Sequence, residues 1–299
     1  MKLIECIPNF SEGRRPEVIA AITGAISGVE GINLLDVKPD KDHNRVVVTF
    51  VGEPESVAEA AFRGAQKAAE LIDMQEHRGE HPRLGATDVI PFVPLGATSM
   101  EECITIAERV GARIGEELDI PVYLYERAAR TPERRNLADV RRGEYELLIK
   151  DITRPERKPD FGPAVANLRS GGTVVGARPP LVAFNVNLES TDLKAARAIA
   201  RKVRESGGGL PAVKALGLMI EEGNHTQISM NLVDFTITGM HTAMEAIANE
   251  AAAYGIAISG SEVVGLLPVQ ALLDSAIHSL KLAGFSADQV LEFRLGGGK

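Results

Sequence analysis

The stretch GINLLDVKPDKDHNRVVVTFV, residues 31–51, decides the fold. Its two ends, 31–38 and 44–51, are apolar and β-branched, and the polar turn between them predicts a β-hairpin. A helix is predicted on each side of this hairpin, because Pro16 and Pro54 both suit a first helical turn. Residues 2–8 and 88–94 are predicted strands. The order is therefore strand, helix, hairpin, helix, strand.

The second half of the chain repeats this order. Strands are predicted at 180–188, 212–220, 226–236 and 256–260, with helices at 192–206, 240–254 and 268–283. The first half adds a helix at 99–118 and a strand at 121–125. This is the split-βαβ, or ferredoxin-like, order. We predict an α/β (α+β) fold with two such subdomains, 1–175 and 176–299, whose sheets face a groove between them.

The segment 126–178 joins the two halves. Its first part is rich in charges of both signs, which favours a solvated helix or loop. Its second part is rich in proline and glycine. We interpret this second part as an irregular connector.

Composition excludes several classes of protein. Lys and Arg total 33 against 41 Asp and Glu, a net charge of −8, whereas a general nucleic-acid binder carries a basic surplus. No apolar run reaches the ~18 residues of a membrane span, and no signal peptide is predicted. Cys6 and Cys103 lie among apolar neighbours and predict buried free thiols. We expect a soluble cytoplasmic protein with neither nucleic acid nor membrane as partner.

The densest polar cluster is HRGEHPRLGATD, residues 77–88, which lies between a predicted helix and a predicted strand. Histidine can take and return a proton near neutral pH, and arginine binds carboxylates through two hydrogen bonds. His77 and His81 also match the H-x-x-E-H motif of inverted zinc peptidases. That motif needs a helix, and Gly79 and Pro82 disfavour one.

Several motifs together resemble the glutamate formimidoyltransferase (formiminotransferase) family. They are IECIPNFSEG, LLDV followed by HNR, GEHPRLGATDVIPFVP, MEEC, PVYLYERAARTPERR and GTVVGARPPLVAFNVNL. The resemblance runs from about residue 3 to 283. In animals this family forms the first module of a bifunctional enzyme with a cyclodeaminase. We expect the standalone form, without that second activity.

The resemblance implies a reaction and a site. The family moves the formimidoyl group from N-formimidoyl-L-glutamate to N5 of tetrahydrofolate, giving 5-formimidoyltetrahydrofolate and L-glutamate in histidine degradation. It is typically a homodimer whose two sheets face a tunnel. Its catalytic histidine maps onto His81. Tetrahydrofolate is a co-substrate, and no metal is expected.

The family's folate-binding stretch follows the FGP motif. It maps onto Gly162, Pro163, Ala164, Val165, Ala166, Asn167, Leu168, Arg169, Ser170 and Gly171. Because both substrates carry glutamate carboxylates, cations are needed as well. The cationic candidates within or beside the motifs are Arg45, Arg78, Arg83 and Arg178. His43 and Asn44 of the HNR motif are further substrate-binding candidates.

Two other functions remain open from the residues alone. The first is an enzyme of the 5-formyltetrahydrofolate cyclo-ligase type, which uses ATP, although no phosphate-binding loop follows a strand. The second is a non-catalytic folate-binding protein. A zinc peptidase is a weaker third alternative.

Overall fold

The computed structural model describes residues 1–79, 82–220 and 223–295. These residues form two compact units, one from Met1 to Arg178 and one from Pro179 onward. Each unit contains one β-sheet with helices packed against it. The predicted α/β fold class with two split-βαβ subdomains is therefore confirmed.

The first unit contains a mixed sheet. Its elements are β1 (Lys2–Cys6), β2 (Asn9–Phe10), α1 (Pro16–Ser27), β3 (Asn33–Asp40), β4 (Arg45–Gly52), α2 (Pro54–Leu71), β5 (Thr87–Gly96), α3 (Met100–Glu117), β6 (Val122–Glu126), α4 (Leu137–Val140), α5 (Glu144–Asp151) and β7 (Thr173–Ala177). The strands lie in the order β3, β4, β1 with β2, β5, β7, β6. β1 and β2 follow one another between β4 and β5 and pair antiparallel with both.

Local chemistry explains these elements. Proline occupies the first turn of α1 and of α2, and Ser99 and Glu102 form a capping box at α3. Ile4, Cys6 and Phe10 alternate inward along β1 and β2 and pack against the helices. Burial raises the pKa of the Cys6 thiol, which fits the predicted buried free thiol. No helix in the described part of the chain is long and apolar enough to cross a membrane.

The segment 126–178 agrees with its prediction in its first part and differs in its second. The first part contains the short helices α4 and α5, where a helix or loop was predicted, but the glycine-rich end contains β7 instead of an irregular connector. β7 lies between β5 and β6 and is parallel to both. All five of its residues are buried. A five-residue run that follows two glycines and contains a third carries too little periodicity to be told from a loop, and its pairing partners are distant in sequence.

The second unit contains an antiparallel sheet. Its elements are β8 (Val182–Leu188), α6 (Leu193–Val203), β9 (Val213–Ile220), β10 (His225–Leu232), α7 (Met240–Ala252), β11 (Ile258–Val264), α8 (Val269–Leu280) and α9 (Leu291–Arg294). The strand order β11, β8, β10, β9 repeats that of β5, β1, β4 and β3. Asp192 caps α6 by accepting hydrogen bonds from two backbone amides. The sequence repeat is thus a structural repeat.

The core of the first unit yields a stability prediction. Ile90 on β5 is fully buried against the helices, so Ile90→Ala should lower the free energy of unfolding by about 2–5 kcal/mol. Ile237 is 60% exposed, and Ile237→Ala should change the free energy of unfolding by no more than about 0.5 kcal/mol. Urea denaturation followed by circular dichroism measures both. Equal losses in the two variants would contradict this account of the core.

Candidate functional site

One face of the first sheet is packed by α1, α2 and α3, and the opposite face carries the polar chemistry. We call this opposite side the open face. Glu5 and Asn9 point to it because they alternate with the inward-facing Ile4, Cys6 and Phe10. The polar side chains on it or at its edge are Glu5, Asn9, Arg45, Asp88, Tyr125, Arg141 and Arg178.

Helices cover only part of this face. Val140 of α4 and Leu148 of α5 pack in one cluster with Val89, Val174 and Tyr123 of β5, β7 and β6. On β1 and β4, by contrast, most side chains at the open face stay partly exposed, Glu5 and Arg45 among them, and Thr49 is the buried exception. The half of the sheet built from β1, β2 and β4 is therefore less completely covered.

Two arginines lie at one end of the open face. Arg45 Nη1 donates a hydrogen bond to Asn9 Oδ1 at 3.2 Å. Arg141 donates to Asp88 from two guanidinium nitrogens, Nε to Oδ1 at 3.2 Å and Nη2 to Oδ2, and Asp88 also accepts the backbone N–H of Leu84. Burial and the neighbouring Arg141 lower the pKa of Arg45. The two guanidinium groups form a cationic patch that one buried carboxylate partly neutralises.

A second charged group lies farther along the same face. Arg178 follows β7, and its N–H bonds to the carbonyl of Phe92 on β5. Burial raises the pKa of Tyr125, and a hydrogen bond with Arg178 opposes the rise. Burial also raises the pKa of the Glu5 carboxyl, which Arg178 again opposes. Glu5, Tyr125 and Arg178 therefore interact electrostatically.

The loop that contains the 77–88 cluster is fixed by Arg83. Its side chain is only 7% exposed. It donates to Glu144 Oε2 at 2.8 Å and forms a two-pronged pair with Glu146, at 2.6 and 2.9 Å. The guanidinium that we predicted as a substrate ligand is thus shared by two carboxylates of α5. We assign Arg83 a positioning role.

His77 is a buried part of the same loop. Its Nδ1 accepts a hydrogen bond from Arg83 Nε at 3.4 Å, and its Nε2 donates to the carbonyl of Asn44 at 2.9 Å. Burial lowers the pKa of His77, which favours the neutral ring. Both ring nitrogens are therefore occupied by protein partners. Within the described residues, no group of three or more His, Cys, Asp or Glu could hold a metal ion.

The predicted catalytic residue, His81, lies outside the described residues together with Glu80. Residues on both sides of the pair are described. A side chain on Gly79 would clash with the carbonyl of His43, 2.3 Å from an ideal Cβ. After the pair, Arg83 forms the ion pairs above. The catalytic role of His81 therefore remains a prediction. Gly79 before it and Arg83 after it are both held by contacts.

The β3–β4 turn contributes Asn44 rather than His43 to the interior. Asn44 adopts a left-handed backbone conformation, with φ of 49°, which asparagine tolerates. Its amide accepts from the N–H of Gly13 and donates to the carbonyl of Arg78, each within about 3 Å. His43 is exposed and bonds to Asp40 at 2.6 Å. Arg78 is also exposed and donates to nearby carbonyls.

The segment 162–171 runs beside the same loop. Gly171 forms a bridge with Gly85, and the carbonyl of Ser170 accepts the N–H of Ala86 at 2.8 Å. Asn167 is held at both ends of its amide, by Ser170 N–H and by the carbonyl of Asp119. Val165 and Leu168 are at least half exposed on this anchored backbone. The structure thus brings the end of the predicted folate stretch against the 83–86 loop.

A cavity of about 520 Å³ opens where these segments meet. Its lining includes Arg14, Asn44, His77 and Arg169. Ser11 closes the same region by donating to the carbonyl of Gly85 at 2.8 Å. Its buried hydroxyl therefore links residue 11 to the strand that Gly85 precedes.

Sequence reasoning missed several of these residues. Glu5, Tyr125 and Arg141 lie on or beside the open face, and Glu144 and Glu146 anchor Arg83. Strand alternation alone could have placed Glu5 opposite its buried neighbours. No local signal pairs Arg83 with carboxylates 61 and 63 residues away.

The Arg83 ion pairs yield a second prediction. Arg83→Met keeps the apolar stem but removes charge-assisted hydrogen bonds, so it should lower the free energy of unfolding by about 1–3 kcal/mol. The upper limit is modest because Glu144 and Glu146 are 39% and 55% exposed and regain water. Arg63→Met breaks an exposed pair with Glu59 and should cost less than about 1 kcal/mol. Wild-type stability in Arg83→Met would refute this positioning role.

Comparison with known proteins agrees with these motifs. Residues 3–178 match the N-terminal subdomain of the formiminotransferase domain, and residues 183–289 match the formiminotransferase domain. Glutamate formimidoyltransferase of Thermoplasma acidophilum is 47% identical over 297 residues, which cover 99% of this chain and 98% of that protein.

Two further relatives show the same relationship. The Streptococcus pyogenes glutamate formimidoyltransferase is 45% identical, and the match covers 99% of each chain. The formimidoyltransferase-cyclodeaminase of Mus musculus is 49% identical over 92% of this chain but only 52% of its own length. The chain belongs to the formiminotransferase family.

Proposed function

We propose that this protein is a glutamate formimidoyltransferase that moves the formimidoyl group from N-formimidoyl-L-glutamate to N5 of tetrahydrofolate. The observation that carries this proposal is the 45–47% identity, over 99% of the chain, to two glutamate formimidoyltransferases. The products are 5-formimidoyltetrahydrofolate and L-glutamate. The open face and the described residues of the 77–88 motif supply chemistry that suits this reaction.

The chemical step requires two proton transfers. N5 of the folate attacks the amidine-like carbon, and a tetrahedral intermediate forms. N5 then loses its proton, the bond from that carbon to the glutamate nitrogen breaks, and this nitrogen gains a proton. One histidine can do both, because its pKa lies near the operating pH. We assign this role to His81 on its place in the GEHPR motif.

Arginines on the open face are our candidates for the substrate carboxylates. Arg45 and Arg178 both lie on it and are half-buried, where a guanidinium binds a carboxylate more strongly than in bulk water. Arg78, at the exposed surface of the loop, is a third candidate. Arg83 is excluded from this set because its guanidinium already binds Glu144 and Glu146.

We propose that the segment 162–171 binds the folate. The anchoring of Asn167 and Ser170 supports this, because a backbone held at several points loses little entropy when a ligand binds. Val165 and Leu168 offer exposed apolar surface to the folate's aromatic rings. His43 and Asn44 belong to the neighbouring turn and support the loop.

A cytoplasmic homodimer is the assembly we propose. Val269, Leu272 and Leu280 are exposed along one side of α8, and apolar surface of this kind is typical of an interface between subunits. The two free thiols suit a reducing compartment. A light-scattering mass equal to one chain would contradict the dimer.

The activity itself is tested with two substrate pairs. Purified protein should transfer the formimidoyl group when given N-formimidoyl-L-glutamate and tetrahydrofolate. It should not cyclise 5-formyltetrahydrofolate in the presence of ATP. Turnover only in the second assay would replace the proposal with the cyclo-ligase alternative. Folate binding without turnover in either would favour the binding protein.

His81→Asn tests the acid–base role. We expect kcat to fall by about 10²-fold or more, with the affinity for 5-formyltetrahydrofolate little changed. The matched control is His278→Asn, which alters an exposed histidine of the second unit that bonds to Glu245. Steady-state kinetics with fluorescence titration of the folate distinguish the two effects. Full activity in His81→Asn would overturn the assignment.

Arg45→Leu tests the cationic patch. Removal of one charge-assisted contact should lower kcat/KM by about 10–100-fold, mainly through KM. Arg63→Leu changes an exposed arginine on the helix side of the sheet and should have no effect. If the two variants behave alike, Arg45 does not bind substrate.

A further inference from the structure

Glu5 is the carboxylate whose environment the proposed reaction has not yet explained. It lies on β1, in the middle of the first sheet, where β4 and β5 flank it. In the described part of the chain its carboxylate has no hydrogen bond and no ion pair. Glu12, Asp88 and Asp160 are the other well-buried carboxylates of this unit, and each accepts at least two hydrogen bonds.

Arg178 interacts with the Glu5 carboxylate electrostatically, but no described donor gives it a hydrogen bond, so its burial is only partly compensated. Its burial raises the pKa of Glu5, which shows that the fold disfavours the charged form even beside Arg178. A structural role would have supplied hydrogen-bond donors. Incomplete compensation of a desolvated carboxylate is instead typical of a group that gains its hydrogen bonds when a ligand binds.

The surroundings of Glu5 indicate the shape of such a ligand. Its cross-strand neighbours are Val51 on β4 and Val93 on β5. Ile7 and Val47 continue this apolar surface toward Asn9 and remain partly exposed. A sheet presents such side chains as a shallow, nearly flat floor. The ligand is therefore flat and apolar on its face, with hydrogen-bond donors at one edge.

We infer that Glu5 binds the 2-amino-4-oxopyrimidine edge of the tetrahydrofolate pterin, accepting hydrogen bonds from the N3–H and the 2-amino group. This inference rests on the proposed function for the identity of the ligand. The two donors are adjacent and parallel, so they match the two oxygens of one carboxylate. The ring then lies along the floor of Ile7 and Val47. Glu5 is a binding and orienting residue, and it takes no part in proton transfer at N5.

The test compares two pterins in two proteins. Dissociation constants are measured by fluorescence titration for 5-formyltetrahydrofolate and for its 2-desamino-2-methyl analogue, which lacks one donor. Wild-type protein should bind the analogue about 10–100-fold more weakly. Glu5→Gln should bind 5-formyltetrahydrofolate about 10–100-fold more weakly and should discriminate between the two ligands by less than about threefold.

Two controls separate binding from folding. Glu55→Gln changes an exposed carboxylate on α2 and should keep wild-type discrimination. Glu5→Gln should be at least as stable as wild type in thermal unfolding, because the fold disfavours the charge it removes. Its KM for N-formimidoyl-L-glutamate should stay within about twofold of wild type.

The outcomes distinguish this inference from the proposed function. Normal transfer by wild type, together with unchanged discrimination in Glu5→Gln, would overturn the role of Glu5 alone. A marked loss of stability in Glu5→Gln would also overturn it, in favour of a structural role. Failure of wild-type protein to bind either pterin would remove the proposed function and this inference together.

Discussion

The buried guanidinium of Arg83 is the constraint on which the arrangement of the first unit depends. A buried cation that loses its partners costs several kcal/mol, so Glu144 and Glu146 must stay in place. Their helix, α5, is thereby held against β5, β7 and β6, where Leu148 packs with Val174. This packing covers one half of the open face and leaves β1, β2 and β4 accessible. One ion-pair network therefore decides which half of the open face α4 and α5 cover.

Charge on the accessible half is arranged unevenly. Arg45 and Asn9 lie at one end. Glu5 lies on the same face four residues before Asn9, which is roughly 13 Å along β1 and β2. Between them the floor is apolar. Such a surface separates a position for anionic groups from a position for hydrogen-bond donors. A folate has both, because its glutamate tail is acidic and its pterin edge donates.

The fold was predictable where periodicity is strong. α1 and α2 begin at the predicted prolines, and the first hairpin lies within about two residues of its predicted bounds, because proline turns and alternating β-branched runs are local signals. In the second hairpin, β10 ends at Leu232, four residues before its predicted end. β7 lies where an irregular connector was predicted, and α4 and α5 lie in a segment that was predicted only as a helix or loop. They are short, and what stabilises β7 is parallel pairing with β5 and β6, whose residues are far away in the chain. Periodicity within a five-residue window cannot report such pairing.

By itself, the sequence determined the repeated strand and helix order, the family motifs and the position of His81 within one of them. These depend on local propensity and on residue identity, which need no knowledge of distant contacts. The partners that each arginine meets depend on the tertiary structure alone. Arg83 and Arg45 look equivalent in sequence, yet one pairs with carboxylates 61 and 63 residues away and the other lies on the open face. Electrostatic roles depend on partners in space, and the chain order does not encode those partners locally.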